Sequence, residues 1–208
     1  EANGAQVQLL GNLRSVLHEI NDGYAPNTSP KDFHYHSKDQ MMGVSWNQSV
    51  SLFEGNRMTG GIDFYHFGGE AWNLFTDGER KEIVDKTQNE VAGYITIRQR
   101  LLNRLTVDAG IRLDHHSQTG TEWIPQGGIS LQLPRDAELR AMVSKGFRNP
   151  TIKDLFMFKV KNEDLKPENI MNYELSYSQR LLDNALSYGV NLFFMDGKNI
   201  IQLEDGRI

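Results

Sequence analysis

Residues 171–195 read MNYELSYSQRLLDNALSYGVNLFFM, and this stretch decides the fold class. Apolar and polar residues alternate on both sides of the short segment Leu182-Asp183-Asn184. Alternation with a period of two places successive side chains on opposite faces of a β-strand. A few residues rich in Asp and Asn between two such runs predict a hairpin turn. The sequence therefore predicts two antiparallel strands here, Met171 to Arg180 and Ala185 to Met195.

Alternating segments of similar length recur upstream, so the coarse prediction for the chain is almost entirely β-strand. A strand of about nine residues, at ~3.3 Å each and tilted by ~40°, rises roughly 23 Å, close to the apolar band of an outer-membrane barrel. With the two strands above, the candidates make about nine: Leu9 to Ile20, where the alternation is poor, Met42 to Leu52, Met58 to Tyr65, Val91 to Arg98, Leu105 to Asp114, Trp123 to Leu133 and Leu139 to Arg148.

The connections between these strands are tight and polar in turn. Tight turns are predicted at 54–56, 102–104, 134–136 and 182–184, and polar connections at about 21–32, 73–86, 116–121 and 149–167, all long except 116–121. An outer-membrane barrel has short turns at one rim and longer loops at the other. The predicted fold class is therefore all-β, a segment of an antiparallel transmembrane β-barrel, with about 8–9 strands of a larger barrel. A complete small eight-stranded barrel with a stray first segment is the alternative.

Composition excludes several classes of function. The 208 residues include no cysteine, which excludes a disulfide framework, thiol catalysis and thiolate metal sites. A formal net charge of −5 and the lack of a Lys and Arg cluster argue against a nucleic-acid surface. No apolar run approaches the ~20 residues of a transmembrane helix, and no Gly-x-Ser-x-Gly, Walker-type or His-Glu-x-x-His motif occurs. We therefore predict a protein that is not an enzyme, with no catalytic residue, cofactor or metal site.

One part of the chain carries a family resemblance. The segment Ser144-Lys145-Gly146-Phe147-Arg148-Asn149-Pro150 is followed by Leu155-Phe156, by Leu165-Lys166-Pro167-Glu168 and by Asn172-Tyr173-Glu174. In this order the segments resemble the barrel of TonB-dependent outer-membrane receptors, especially the metal-chelate-importing branch, most closely over about residues 139–202. The resemblance implies a receptor surrounded by the outer-membrane lipid of a Gram-negative bacterium, in which the TonB complex drives uptake through an N-terminal plug domain. Residues 1–208 are interpreted as a barrel segment without that plug domain.

The resemblance also implies that a scarce nutrient binds at the outer loops. An iron–chelator complex is the first expectation for this nutrient, with haem or a corrinoid next. Arg148, Lys159 and Trp123 are candidate contacts at the outer rim, because anionic chelates attract cations and planar ligands stack on aromatic rings. His115 and His116 are further candidates. Neighbouring residues of a strand face opposite ways, so we expect an exposed loop pair that shares no metal.

Other residues have structural expectations. The loop residues 155–158 are apolar and need cover, which either packing against a neighbouring loop, the expected role, or contact with a ligand would provide. His34 and His36 share one face of a strand and could be two metal ligands, although the spacing fixes no third ligand.

Charged residues on the polar strand faces are expected to line the lumen: Asp63, Asp108, Arg98, Arg112, Glu174 and Arg180. Two rival functions remain open, a soluble β-sandwich module that binds carbohydrate and a small outer-membrane barrel with enzymatic activity.

Overall fold

The computed structural model describes residues 4–10, 16–20, 33–157, 162–183 and 185–202 as one antiparallel β-sheet and one short helix. From Phe33 onward, consecutive strands of the chain are neighbours in the sheet. The elements are β1 Gly4–Leu10, β2 Val16–Ile20, β3 Phe33–Val50, β4 Asn56–Phe75, β5 Arg80–Leu101, β6 Leu105–His116, β7 Gly120–Leu133, β8 Ala137–Arg148, α1 Ile152–Phe156, β9 Glu168–Leu181 and β10 Leu186–Lys198. The prediction of an all-β antiparallel fold is confirmed.

The first strand position is divided between two strands. β1 and β2 both pair with β3, so ten strands fill nine positions, in agreement with the predicted number. The prediction of one strand from Leu9 to Ile20 is wrong. Leu10 opposes Gly43 and Val16 opposes Asp39, so six steps on one side face only four on β3. A ladder cannot run unbroken through such an offset, and this explains the poor alternation.

β4 and β5 form the longest hairpin, with 20 and 22 residues, whereas β6 to β10 have 12 to 14. The polar loop predicted at 73–86 is therefore wrong, because this segment is the top of the hairpin. The turn is closed by hydrogen bonds from Phe75 N–H to the Glu79 carbonyl (2.8 Å) and from Gly78 N–H to the Phe75 carbonyl (3.0 Å). Strand residues that project beyond an apolar layer need no apolar face, so their composition resembles that of a loop.

The β3–β4, β5–β6, β7–β8 and β9–β10 turns lie together at one end of the sheet, which we call the turn end, and the β8–β9 loop lies at the other, the loop end. In the β5–β6 turn, Arg104 N–H donates to the Leu101 carbonyl (3.2 Å), and the central residues Leu102 and Asn103 have φ of 50° and 54°. Two left-handed central residues define a type I′ turn, whose twist matches that of the flanking strands. The predicted tight turns at 54–56, 102–104 and 134–136 are confirmed. The turn at 182–184 is confirmed at Leu182 and Asp183, whereas Asn184 lies outside the described residues.

The two faces of the sheet differ in polarity. We call the face with exposed Ile62, Ile95 and Leu192 the outer face, and the face with Asp63 and Arg112 the inner face. Among the described residues the buried apolar side chains are few: Ala71, Val84, Ala92, Ala137, Leu155 and Phe156. A large apolar face without cover requires an apolar surrounding. No helix within the described ranges is long and apolar enough to cross a membrane.

Candidate binding cavity under the β8–β9 loop

The loop between β8 and β9 folds onto the inner face at the loop end. Between this loop and the sheet lies a cavity of about 1010 Å³. This volume is at the upper end of the range for small-molecule sites. Its lining combines apolar and polar residues: Asp39, Gln40, Met41, Phe67, Gly68, Gln88, Glu90, His116, Phe147, Asn149, Pro150, Thr151, Ile152 and Lys153.

The short helix α1 gives the loop a defined shape. Thr151 is its N-cap, and the Thr151 Oγ1 atom accepts a hydrogen bond from Asp154 N–H (3.2 Å). In return, Thr151 N–H donates to Asp154 Oδ2 (3.0 Å), which completes a capping box. The Thr-x-x-Asp spacing therefore starts a helix directly after Pro150, where the missing N–H of proline ends β8.

The helix attaches the loop to the sheet through a small apolar cluster. Leu155 and Phe156 are 1% and 4% exposed, and they pack on the inner face of β4 and β5. The buried members of the cluster are Ala71, Val84, Leu155 and Phe156. Gly69 leaves room for the helix, since a Cβ atom there would lie 3.1 Å from Ile152 Cδ1. The expectation that this part of the loop needs cover is confirmed for Leu155 and Phe156, although strands provide it rather than a loop.

A chain of hydrogen bonds fixes the start of the loop to β5 and β6. Asn149 Nδ2 donates to Glu90 Oε2 (3.3 Å), and Asn149 Oδ1 accepts from the Thr119 hydroxyl (2.9 Å). Thr119 Oγ1 also lies 3.2 Å from His116 Nδ1. Glu90 and His116 are direct partners in the β5–β6 ladder, so the chain closes into a ring. Asn149 is the one member of this ring that belongs to the loop.

His116 is buried beneath the loop. It is the last residue of β6 and lies beyond the apolar run of that strand's outer face, which ends at Leu113. Burial lowers the pKa of His116 below its ordinary value, and the neighbouring His115 acts in the same direction, whereas Asp114 opposes both. The imidazole is therefore neutral at neutral pH and serves the cavity as a polar group without charge.

Arg148 braces both ends of the loop. Its guanidinium binds Glu168, the first residue of β9, and Asp154 of α1 (3.4 Å). The hydrogen bond from Arg148 lowers the pKa of Glu168 below its ordinary value, and the same contact raises the pKa of Arg148. Glu168 Oε1 also accepts from Ile201 N–H (2.7 Å). The positive charge of Arg148, which the sequence suggested as a ligand contact, is thus paired with two carboxylates of the chain.

The structure separates the residues that the sequence proposed as ligand contacts. His116 lines the cavity and is 3% exposed, so the expectation of an exposed histidine pair is wrong for it. His115 is exposed and hydrogen-bonded to Thr121 Oγ1 (2.8 Å), and Trp123 is 58% exposed beside Leu113 on the outer face. Lys159 lies outside the described residues. The role of these residues, and of Arg148, as ligand contacts stays a prediction.

Sequence reasoning missed Asn149, Glu90 and Gln88 as cavity residues. On β5, Glu90 and Gln88 occupy even positions, whereas the apolar outer-face residue Val91 occupies an odd position. Alternation could therefore have assigned Glu90 and Gln88 to the inner face. Asn149 was visible only as the residue before Pro150, a position that restricts the backbone but gives no partner. Its partners come from strands that are distant in sequence.

Four of the six predicted lumen charges form ion pairs on the inner face, namely Asp63, Arg98, Asp108 and Arg112. Arg112 binds Asp63, and it reaches Asp114 at 3.0 Å. Arg98 Nε lies 2.6 Å from Asp108 Oδ1. Within the described ranges, no group of three or more His, Asp or Glu side chains is placed to hold a metal ion.

The comparisons with known proteins give the family. A family described as "TonB dependent receptor-like, beta-barrel" matches residues 3–207. The chain belongs to this family. The family prediction and the barrel fold class are thereby confirmed, and a β-sandwich is set aside.

Relatives of this TonB-dependent receptor barrel are longer than the chain. The vitamin B12 transporter BtuB of Photobacterium profundum is 25% identical over 147 residues, which is 69% of this chain and 23% of the relative. The siderophore receptor PirA from Acinetobacter baumannii matches with a TM-score of 0.67 at 16% identity, over 82% of this chain and 28% of PirA. A mutant of the ferric enterobactin receptor PfeA from Pseudomonas aeruginosa matches with a TM-score of 0.66 at 16% identity, over 79% of this chain and 27% of PfeA. The chain therefore spans about a quarter of the length of these relatives.

Proposed function

We propose that the receptor containing this chain takes up a scarce nutrient across the outer membrane of a Gram-negative bacterium. Energy arrives from the TonB complex through a plug domain, which we place elsewhere in the longer protein. The chain itself contributes a segment of barrel wall with its outer loops. It acts by binding and release and not as an enzyme.

The single observation that carries this proposal is the docking of the β8–β9 loop on the inner face. A loop that merely joined two strands would have no reason to bury Leu155 and Phe156 against the sheet or to hydrogen-bond Glu90 through Asn149. Docking instead creates a concave cavity of about 1010 Å³ with apolar walls and a few convergent polar groups. Such cavities are typical of small-molecule sites. The apolar outer face supports placement in lipid.

An iron–chelator complex is our first choice of nutrient, with haem as a further member of the same class. The aromatic and apolar wall formed by Phe67, Phe147 and Ile152 suits a bulky organic complex rather than a hydrated ion. The siderophore receptors PirA and PfeA, similar in fold, are compatible with this choice.

A corrinoid is the second candidate, and two observations favour it. The relative that is 25% identical is named as a vitamin B12 transporter. In addition, the cavity lining includes two carboxylates, Asp39 and Glu90, and one lysine, Lys153. The nearby Arg148 is already paired with Glu168 and Asp154. A wall without excess positive charge among the described residues suits an uncharged ligand better than a polyanionic one.

The proposal is tested with the complete receptor in a Gram-negative host that lacks its own receptors for these nutrients. Uptake of a ferric chelate, haem and cobalamin is measured with and without functional TonB. We expect energised uptake of one of these ligands. Uptake that persists without TonB, or binding of none of the three, would overturn the proposal.

A matched pair of variants locates the site. Phe67→Ala removes a ring from the cavity wall, whereas Phe64→Ala removes a ring from the outer face of the same strand. We expect Phe67→Ala to weaken binding about tenfold or more, since burial of such a ring contributes roughly 1.5–3 kcal/mol. Phe64→Ala should leave affinity unchanged. Equal affinities for the two variants would place the ligand elsewhere.

A further inference from the structure

The ladder between β7 and β8 stops before these strands reach the loop end. Its last pair is Gln126 with Ser144. Both strands nevertheless continue, β7 in register with β6 and β8 in register with β9. The segments that lack a shared ladder are 120–125 of β7 and 145–148 of β8. We call the gap between these two segments the seam.

Pro125 explains why the ladder stops there. Gln132 N–H donates to the Arg104 carbonyl (2.7 Å), so the backbone groups at even positions of β7 point to β6. Those at odd positions point to β8, and the odd position that follows Gly127 toward the loop end is Pro125. Proline has no N–H, so the next hydrogen-bonded pair of the ladder lacks its donor.

Backbone groups without a ladder partner line both edges of the seam. On β8, Arg180 N–H donates to the Asp136 carbonyl (3.2 Å), so even positions point to β9 and odd positions point to the seam. The groups that point into the seam belong to Thr121, Trp123, Lys145 and Phe147. In hydrocarbon such groups are costly. Trp123 pairs with Leu113 at the end of the apolar run, so the seam opens at the lipid–water interface.

An ion pair closes the seam. Lys145 Nζ lies 2.6 Å from Glu122 Oε2, and the two side chains are 19% and 22% exposed. Lys145 has the parity of Val143, which faces outward, whereas Glu122 is the cross-strand partner of Asp114 on the inner face. The contact therefore passes through the plane of the sheet, which is possible because no ladder fills the seam.

The seam joins the outer face to the cavity under the β8–β9 loop. Trp123 borders it on the outer face and is 58% exposed. Phe147 borders it on the other side, where it lines the cavity although it has the parity of Lys145. A passage between two aromatic rings suits a narrow apolar chain, because such a chain leaves water for apolar surroundings at every point beyond the ion pair.

We propose that the seam is a lateral opening for the hydrocarbon chain of an amphiphilic nutrient. The polar head of the nutrient stays in the cavity, and its chain passes between Trp123 and Phe147 into the outer leaflet. Lys145 and Glu122 close the opening in the absence of a chain and part toward interfacial water when one enters. Each methylene that reaches the lipid favours this arrangement. The inference rests on the proposed function of the cavity, and it narrows the nutrient to chelates with a fatty-acyl tail.

Photolabelling of the complete receptor in phosphatidylcholine liposomes tests the opening. The probe is lauric acid with a diazirine at the end of its chain, and mass spectrometry locates the label. We expect label on Phe147, with the lipid-facing Trp123 as the internal reference. Glu122→Gln should raise the ratio of Phe147 label to Trp123 label about tenfold, as for the loss of one charge-assisted bond. Glu138→Gln is the control, because Glu138 accepts from Ser130 where the same two strands keep their ladder.

Two changes that close the seam should have the opposite effect. Pro125→Val restores the missing donor, so it should lower the label ratio and slow hydrogen exchange at the Lys145 amide. The variant E122C/K145C can be joined by a reducible bis-methanethiosulfonate cross-linker, since the chain has no cysteine of its own. The cross-link should abolish the label on Phe147, and reduction should restore it.

Three outcomes would overturn the proposal. The first is label on Phe147 that the cross-link leaves unchanged, because the chain would then enter from solvent. The second is an unchanged ratio in Glu122→Gln. The third is equal labelling of Phe147 by a diazirine-bearing phosphatidylcholine, which would identify the occupant as a membrane lipid. If E122C/K145C does not assemble, Glu122→Gln and Pro125→Val carry the test. Neither TonB nor uptake is needed, so failure here is distinct from failure of the proposed function.

Discussion

Asn149 and Glu90 are joined by a hydrogen bond from Nδ2 to Oε2 of 3.3 Å, although 59 positions separate them in the chain. Through this bond the first residue after β8 is tied to the middle of β5. The ring that also includes Thr119 and His116 converts a connection between two strands into a wall of the cavity. The position of that wall depends on side chains rather than on the sheet ladder.

Replacing Asn149 should loosen the loop without affecting the barrel. We expect Asn149→Ala in the complete receptor to weaken ligand binding about fivefold to tenfold, because a side-chain hydrogen bond contributes roughly 0.5–1.5 kcal/mol. Titration calorimetry with the bound nutrient measures the change. Asn89→Ala is the control, since Asn89 bonds His66 on the outer face. A control variant that lost as much affinity would show that the ring around Asn149 has no special role.

The apolar cluster should contribute more to docking than the hydrogen bonds. Leu155 is 1% exposed, and removal of a buried leucine typically costs about 2–5 kcal/mol. We expect Leu155→Ala to release α1, so that trypsin cleaves after Lys153 and amides of 152–157 exchange rapidly with solvent. Leu139→Ala, on the outer face, is the matched control and should stay resistant. Equal resistance of both variants would contradict docking through this cluster.

Docking of the loop should weaken in two steps as the pH falls. Burial lowers the pKa of His116, so the undocked state binds more protons than the docked state, and stability is lost as pH falls from about 6.5. The pKa of Glu168 is also lowered, so its bond to Arg148 holds above pH 4.5 and is lost as pH falls below that value. Hydrogen exchange of the loop between pH 7 and 3 measures both steps.

Two variants separate these steps. His116→Gln should remove the upper step, and Glu168→Gln should remove the lower one, because neither replacement titrates. A profile for His116→Gln that still falls between pH 6.5 and 5 would assign that step to another group.

The β5–β6 turn offers a stabilising change. Leu102 is 92% exposed and has φ of 50°, a conformation that suits glycine and not leucine. We expect Leu102→Gly to raise the free energy of unfolding by about 1 kcal/mol, because relief of strain of about 1–3 kcal/mol outweighs the roughly 0.4–1 kcal/mol that glycine adds to the freedom of the unfolded chain. Urea unfolding in detergent micelles measures it. Arg104→Gly, a position without positive φ, should lower stability instead, and stabilisation by both changes would refute the strain argument.

The strands of the second half of the chain were predictable because of where they lie. From Leu105 onward every strand has 12 to 14 residues, so most of each strand alternates between the apolar outer face and the polar inner face. β4 and β5 extend much further, and above Gly69 their residues include Glu70, Lys81 and Asp85. Without an apolar layer against them these residues lose the period-two signal, and the sequence therefore indicated a loop.

The candidate site was predictable only in part. The segment around Arg148 and Pro150 was recognised, and so was the need of Leu155 for cover, since both are local properties. The partners of Arg148 were not predicted, because Glu168 follows only after the loop has returned to the sheet. His116 was expected to be exposed, because nothing near it in sequence showed that Asn149 and the loop would cover it.

The sequence by itself determined the strands from Leu105 onward, their antiparallel order and the polarity of the two faces, because alternation and turn chemistry act between residues that are neighbours in the chain. The tertiary structure alone decided that the β8–β9 loop folds inward, that Asn149 meets Glu90, and that Lys145 reaches Glu122 across the seam. These relationships depend on the register and curvature of the sheet, which bring side chains from distant positions within a few ångströms of one another. No local pattern in the chain encodes such distances.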